Sequence, residues 1–211
     1  MSNIRNSKFT GTARPTCYKC FRPITHCVCS LVPAFEAHSN ILILQHPNER
    51  KKYYSTVKIL LSSVKNTKLV RGIYFDQEHL ETILAKQNVY LLFPSPQAQD
   101  CENVILDSNT TVIAIDGTWS EAKKIIIRNP ILETFHHISF SKPILSNYRI
   151  RKQPKQNYLS TLESVAHLLK LNASKAKLLE QCNYYDTLLQ GFDKMVDQQI
   201  NYFPARSWSF V

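Results

Sequence analysis

At 211 residues, 44% of them hydrophobic and 20% charged, the chain has material for one good core, or a core with a small appendage. No run approaches the ~20 apolar residues of a membrane span, and residues 1–14 lack the apolar stretch of a secretory signal, so a cytoplasmic protein with no membrane partner is expected. Lys and Arg number 26 against 16 Asp and Glu, and the net charge of +10 favours a polyanionic partner, of which nucleic acid is the usual one.

The basic residues are spread along the chain, at Arg50-Lys51-Lys52, Lys123-Lys124 and Arg149-Ile150-Arg151-Lys152 among others. Such a spread suits a face that tracks phosphates better than a disordered basic tail.

The first motif is Cys17-x2-Cys20-x6-Cys27-x-Cys29. Four thiolates in one short, loop-rich segment make a closed tetrahedral metal site, zinc ahead of an iron–sulfur cluster, with no position left for a substrate. Cys101 and Cys182 stand apart and read as ordinary buried thiols. Residues 1–36 are therefore read as an N-terminal segment carrying a zinc knuckle, and 37–211 as the main domain.

Residues 40–45 (NILILQ) read as a buried strand that ends at His46-Pro47-Asn48-Glu49-Arg50. Helical spacing over 53–64 puts Val57, Leu60, Leu61 and Val64 on one face. A short strand near 68–70 and a helix near 77–86 follow. Residues 89–93 (VYLLF) form the next strand and stop at Pro94-Ser95-Pro96. Residues 112–115 are a β-branched run ending in Asp116-Gly117-Thr118-Trp119, after which an amphipathic helix begins at once.

Thr118 and Glu121 are spaced as a capping box. Gly117 permits a positive φ or a close backbone approach. On this local pattern alone Asp116 is either a ligand-binding carboxylate at a strand end or a helix cap, and Trp119 either part of a site or core filling. A strand over 135–140 comes next.

Alternation of strand and helix from 40 to 140 predicts a mostly parallel sheet with helices on both faces. Three loops, after 45, 93 and 116, converge at the carboxyl ends of its strands. No G-x-G-x-x-G or P-loop pattern occurs.

Residues 141–166 open as a basic loop in which Tyr148 and Tyr158 interleave with Arg149, Arg151, Lys152 and Lys155. Basic side chains hold phosphates and tyrosine stacks on bases, although a solvated loop would look similar. Ser160-Thr161-Leu162-Glu163 starts a capped helix with Val165, Leu168 and Leu169 on its apolar face. A last helix is expected over 174–200. The tail, with Phe203, Trp208 and Phe210, is expected to dock on the core.

Taken in order, five motifs resemble the DTW-domain family of tRNA-uridine aminocarboxypropyltransferases. They are the cysteine knuckle, His46-Pro47-x-Glu49, Phe93-Pro94-Ser95, Asp116-Gly117-Thr118-Trp119, and Ser146-x-Tyr148-x-x-Arg151-Lys152-x-Pro154 with 159–163 (LSTLE). The resemblance covers roughly 15–200. One departure is Ser55-Thr56, where the family pattern has Asn-Thr.

The resemblance implies a SPOUT-like α/β fold with a knotted C-terminal half, similar to that of the rRNA aminocarboxypropyltransferases. It implies S-adenosylmethionine as donor of a 3-amino-3-carboxypropyl group, N3 of a tRNA uridine as acceptor, and methylthioadenosine as by-product. Donor-binding residues are then Phe93, Pro94, Ser95, Asp116, Thr118, Trp119, Leu159, Ser160 and Thr161. His46, Glu49, Arg50, Ser146, Tyr148, Arg149, Arg151 and Lys152 face the tRNA.

Asp116 is the candidate general base, the alternative being that it orients the donor's amino group. Glu163 is expected to pair structurally with a loop arginine. A knotted RNA methyltransferase and a non-enzymatic zinc-knuckle RNA-binding protein are the other two readings. The oligomeric state stays open.

Overall fold

A computed structural model describes residues 15–20, 22–52, 55–84, 88–150 and 158–202. Its centre is a six-stranded sheet in the order β2-β1-β5-β3-β6-β4, with every pair parallel. The strands are β1 (Asn40–Gln45), β2 (Thr67–Arg71), β3 (Asn88–Leu92), β4 (Gln99–Asp100), β5 (Thr110–Asp116) and β6 (His136–Ser139). The helices are α1 (Val57–Ser63), α2 (Gln77–Leu84), α3 (Trp119–Arg128), α4 (Thr161–Lys175) and α5 (Leu179–Tyr202). None of the described helices is long and apolar enough to cross a membrane.

Strand periodicity explains why both faces are covered. In β1, Ile41 and Ile43 point into one buried cluster while Leu42 and Leu44 point into another. The first cluster holds Val112 and Ala114 of β5 with Ile59, Leu60, Val165, Leu168 and Phe192 from α1, α4 and α5. The second holds Ile113 and Leu91 with Leu80, Leu84, Ile125 and Ile126 from α2 and α3. Each such side chain contributes roughly 1.5–3 kcal/mol when fully buried, so the two-sided sheet is the main source of stability.

The N-terminal segment shares this core, since Cys20, Val28 and Phe35 lie in the first cluster. Gly191 of α5 shows how closely the segment packs: a Cβ there would lie 2.5 Å from Val32 Cγ1 and 3.0 Å from the Leu31 carbonyl oxygen.

Several expectations shift. The helix expected over 53–64 is described only from Val57, after a 3-10 turn over Pro47–Lys51. Lys52 is extended between them, and residues 53–54 lie outside the described residues. Strand β4, which pairs with the edge of β6, is two residues long, too short to carry any alternation.

The last helix, expected over 174–200, is α5 and starts only at Leu179, because α4 runs on to Lys175. At their junction Leu178 N–H donates to the Ala173 carbonyl (2.8 Å) and Lys177 N–H to that of Ser174 (3.1 Å), with Lys177 at φ 57°. This is a Schellman stop with lysine where glycine is usual, which the sequence does not advertise. Gly117 has no positive φ. Its role is space, because a Cβ there would lie 3.1 Å from Glu121 Cβ. The expected docking of Phe203, Trp208 and Phe210 lies outside the described residues.

Candidate active site

A cavity of about 920 Å³ opens at the carboxyl edge of the sheet. The chain passes from β1 out to β2, then crosses β1 and β5 to reach β3. Ligands of open α/β sheets bind at such a change of direction. The three loops expected to converge do so, represented on the wall by Glu49 and Lys52, by Phe93 and Pro94, and by Asp116 through Ser120. The segments before α4 close it, through Phe140, Ile144, Tyr148, Tyr158 and residues 159–161.

Asp116 ends β5 and is 7% exposed. Its Oδ1 accepts from Thr161 Oγ1 at 2.7 Å and its Oδ2 from Gln45 Nε2 at 2.9 Å. The carboxylate therefore has one fixed orientation, held from a neighbouring strand and from the first residue of α4.

The next residues start α3. Thr118 Oγ1 accepts from Glu121 N–H (3.3 Å) and Glu121 Oε2 accepts from Thr118 N–H (2.8 Å), a reciprocal capping box. Glu121 Oε1 reaches back to the loop after β1, accepting from Asn48 Nδ2 at 2.9 Å and lying 3.2 Å from His46 Nδ1. Burial pushes the Glu121 carboxyl upward, but the Thr118 N–H, the Asn48 amide, the Thr118 hydroxyl and His46 outweigh it and hold it at about 2.

Trp119 takes its place between two rings, 5.8 Å from Phe93 and 4.7 Å from Tyr158 by centroid. Offset, tilted rings of this kind form a rigid apolar wall with exposed edges for a flat ligand.

α4 begins with a second capping box, between Ser160 and Glu163. Among the described residues Glu163 accepts from uncharged donors, Ser146 Oγ (3.0 and 2.9 Å), Asn147 N–H (2.7 Å) and Ser160 N–H (2.7 Å), while Arg151 of the loop expected to supply an arginine lies outside the described residues. At 2% exposure Glu163 needs several donors, and a hydroxyl and two backbone N–H groups supply them.

The remaining candidates divide by position. Thr118, Leu159 and Thr161 line the cavity, and Tyr148 does so while packing 5.6 Å from Phe192. Ser95 faces away, its hydroxyl 2.8 Å from His137 Nδ1. Ser146 serves Glu163. Arg50 is exposed, and Arg149 pairs with Asp197 at 2.5 Å on the surface. Arg151 and Lys152 lie outside the described residues.

Two residues at the site carry a signal that was open to sequence reasoning. Gln45 is the polar last residue of a buried strand, the same signature that singles out Asp116. Lys52 falls within the basic triplet but comes to the cavity wall beside Glu49, at 2.5 Å.

The four knuckle cysteines also come together. All four Sγ atoms lie within 4.8 Å of one another, with Cys17 to Cys29 and Cys20 to Cys27 both at 3.8 Å. A tetrahedral ion with ~2.3 Å metal–sulfur bonds has edges of about 3.8 Å, so the set can hold a metal. Backbone N–H groups of Cys20 and Lys19 hold the Cys17 thiol down at about 6, whereas desolvation pushes Cys27 and Cys29 up. A central cation is what lets all four sulfurs be thiolates together.

The profile of the DTW domain matches residues 14–200. The chain is 34% identical over 200 residues to a protein of Macaca fascicularis named tRNA-uridine aminocarboxypropyltransferase 2, covering 90% of this chain and 65% of that one. The Mus musculus protein of that name is 31% identical with the same coverage, and the Drosophila melanogaster one is 34% identical over 174 residues, covering 78% of this chain and 69% of its own. The chain thus spans 65% of the length of the two mammalian relatives. No solved structure matches it.

Proposed function

The chain belongs to the DTW-domain family, and on that premise we propose that it transfers the 3-amino-3-carboxypropyl group of S-adenosylmethionine to N3 of a uridine in tRNA. The observation that carries this reading is Asp116, a fixed carboxylate on the wall of a cavity large enough for a nucleoside-sized ligand and an extruded base.

The reaction is a displacement at a sulfonium. N3 forms a bond to the terminal carbon of the aminocarboxypropyl group, the carbon–sulfur bond breaks with its pair going to sulfur, and the neutral thioether methylthioadenosine leaves. Transfer of this group rather than methyl is a matter of which carbon faces the nucleophile. N3 of uridine carries a proton near neutral pH, and Asp116 accepts it as the bond forms. The wall formed by Phe93, Trp119 and Tyr158 supplies stacking surface for flat rings. Backbone N–H groups at the start of α4 suit the donor's carboxylate. The +10 charge, with Lys52 and Lys142 lining the cavity, suits a polyanion.

We also propose zinc as the occupant of the four-cysteine knuckle. The 3.8 Å sulfur edges support it, and the closed set gives it a structural role only.

Mass spectrometry of unmodified tRNA incubated with the protein and S-adenosylmethionine tests the reading. Aminocarboxypropyl-uridine together with methylthioadenosine is the expected result. A methylated nucleoside with S-adenosylhomocysteine would make the protein a methyltransferase. Absence of product across a full tRNA pool, with no donor binding by titration, would overturn enzymatic function.

A further inference from the structure

Three neighbouring strands end in register on polar residues. Gln45 of β1 pairs with Arg71 of β2 on one side and with Asp116 of β5 on the other. Their side chains continue the ladder past the backbone. Arg71 Nε donates to Gln45 Oε1 at 2.8 Å, and Gln45 Nε2 donates to Asp116 Oδ2 at 2.9 Å.

The polarity of this relay is forced. A guanidinium only donates, so it must face the amide oxygen, which leaves the amide NH2 to face the carboxylate. The opposite rotamer would set donor against donor at Arg71 and acceptor against acceptor at Asp116. Gln45 is 2% exposed, so bulk water does not stand in for either contact. Arg71, exposed on the edge strand, lies outside the cavity wall, yet it determines which end of Gln45 meets the cavity's carboxylate.

We propose that Gln45, oriented by Arg71, is a positioning residue that fixes the rotation of the Asp116 carboxylate toward the cavity. Thr161 holds the other oxygen, so β1 and α4 grip the group from two sides. The proposal rests on the reading of Asp116 as the proton acceptor, and its test separates the two.

The charged groups around the cavity are known. Glu49 and Lys52 pair with each other on the turn after β1, His46 of that loop lies against Glu121 of α3, Lys142 lies on the rim, and Arg71 acts through Gln45. Gln45→Glu is nearly isosteric and sets a second carboxylate against Asp116. Like charges at this distance share a proton, so the titration of the Asp116 carboxyl, followed by carbon-13 NMR and assigned with Asp116→Asn, should move up by about one pH unit or more.

In parallel, Gln45→Met should lower kcat for group transfer by about tenfold or more, with KM for tRNA unchanged, because the lost bond aims a reacting group and does not touch the RNA. Arg71→Met, on an exposed strand edge, should lower kcat in the same sense by less.

An unmoved titration in Gln45→Glu, or parent kcat in both Gln45→Met and Arg71→Met, overturns the proposal. A moved titration in a protein that makes no product leaves the positioning relay standing and removes the functional reading. Product formation with an unmoved titration does the reverse.

Discussion

The carboxylate of Glu163 accepts both from Ser146 Oγ and from Asn147 N–H, so the third residue of α4 holds the loop that presents Tyr148 to the cavity. Ser160 N–H closes the same carboxylate into the helix cap. One buried side chain thus ties the cavity's outer wall to the helix whose first residue holds Asp116.

Removal of that tie should be costly. Glu163→Ala leaves buried donors without an acceptor, and a loss of roughly 2–4 kcal/mol in unfolding free energy is expected. Glu163→Gln, which keeps one acceptor oxygen, should fall between. Urea denaturation measures both, and an alanine variant within about 0.5 kcal/mol of the parent would remove Glu163 from this role.

Acid should weaken the protein through Glu121. Its carboxyl is held at about 2 in the folded chain against a usual 4.5. A folded value below the unfolded one contributes stability above about pH 4.5, and that contribution is lost as pH falls toward 2. The amount is of order 2–3 kcal/mol. Denaturant midpoints measured from pH 6 to pH 2 should fall less steeply for Glu121→Gln than for the parent, with the two curves meeting at the acid end. Parallel curves would mean that the capping box is not what acid breaks.

The metal knuckle should behave as part of the core and not as a detachable finger. Cys20 and Val28 are buried with residues of α4 and α5, so losing the ion should be felt throughout. Elemental analysis should find about one zinc per chain. Chelation, or Cys20→Ser, should lower Tm by about 10 °C, from several kcal/mol at ~2–4 °C each. A metal-free protein with the parent Tm would refute this.

Gly191→Ala sets two effects against each other. Alanine favours a helix interior by roughly 0.5–1 kcal/mol. The added methyl would meet Val32 Cγ1 at 2.5 Å and the Leu31 carbonyl at 3.0 Å, and overpacking of this kind costs roughly 1–3 kcal/mol. Overpacking should win, and thermal unfolding should show a lower Tm. A higher Tm would mean that the segment over 31–32 moves aside freely.

Salt dependence should distinguish the basic residues. Arg50 is exposed and has no ion pair among the described residues, so Arg50→Ala should reduce the slope of log K against log salt for tRNA by about 0.9 or slightly less. Lys52 and Arg149 are already neutralised by Glu49 and Asp197, both at 2.5 Å, and their alanine variants should change the slope less. Equal slopes for all three would point to phosphate contacts elsewhere.

Much of the architecture was legible because it rests on local pattern. A short continuous apolar run in NILILQ and a 3.6-residue period in the segment after Trp119 are properties of side-chain order, and both capping boxes are short-range spacings. What escaped lacks such a pattern: strand β4 is too short for a period, and the place of the α4–α5 break, at Lys177 and not before 174, has no glycine to mark it. At the site, Asp116 announced itself as a carboxylate at a strand end, whereas Gln45 carries the same signature without an obvious chemistry.

The sequence alone determined the parallel α/β class, the four-cysteine knuckle, the basic character and the strand-end position of Asp116, because each depends on residues near one another in the chain. Tertiary structure decided which groups hold Asp116 and which basic residues stand at the cavity. Gln45 and Asp116 are 71 positions apart, and Thr161 and Asp116 are 45 apart. Partners at such separations follow from strand order and register, which are set by packing on both faces of the sheet and not by local preference.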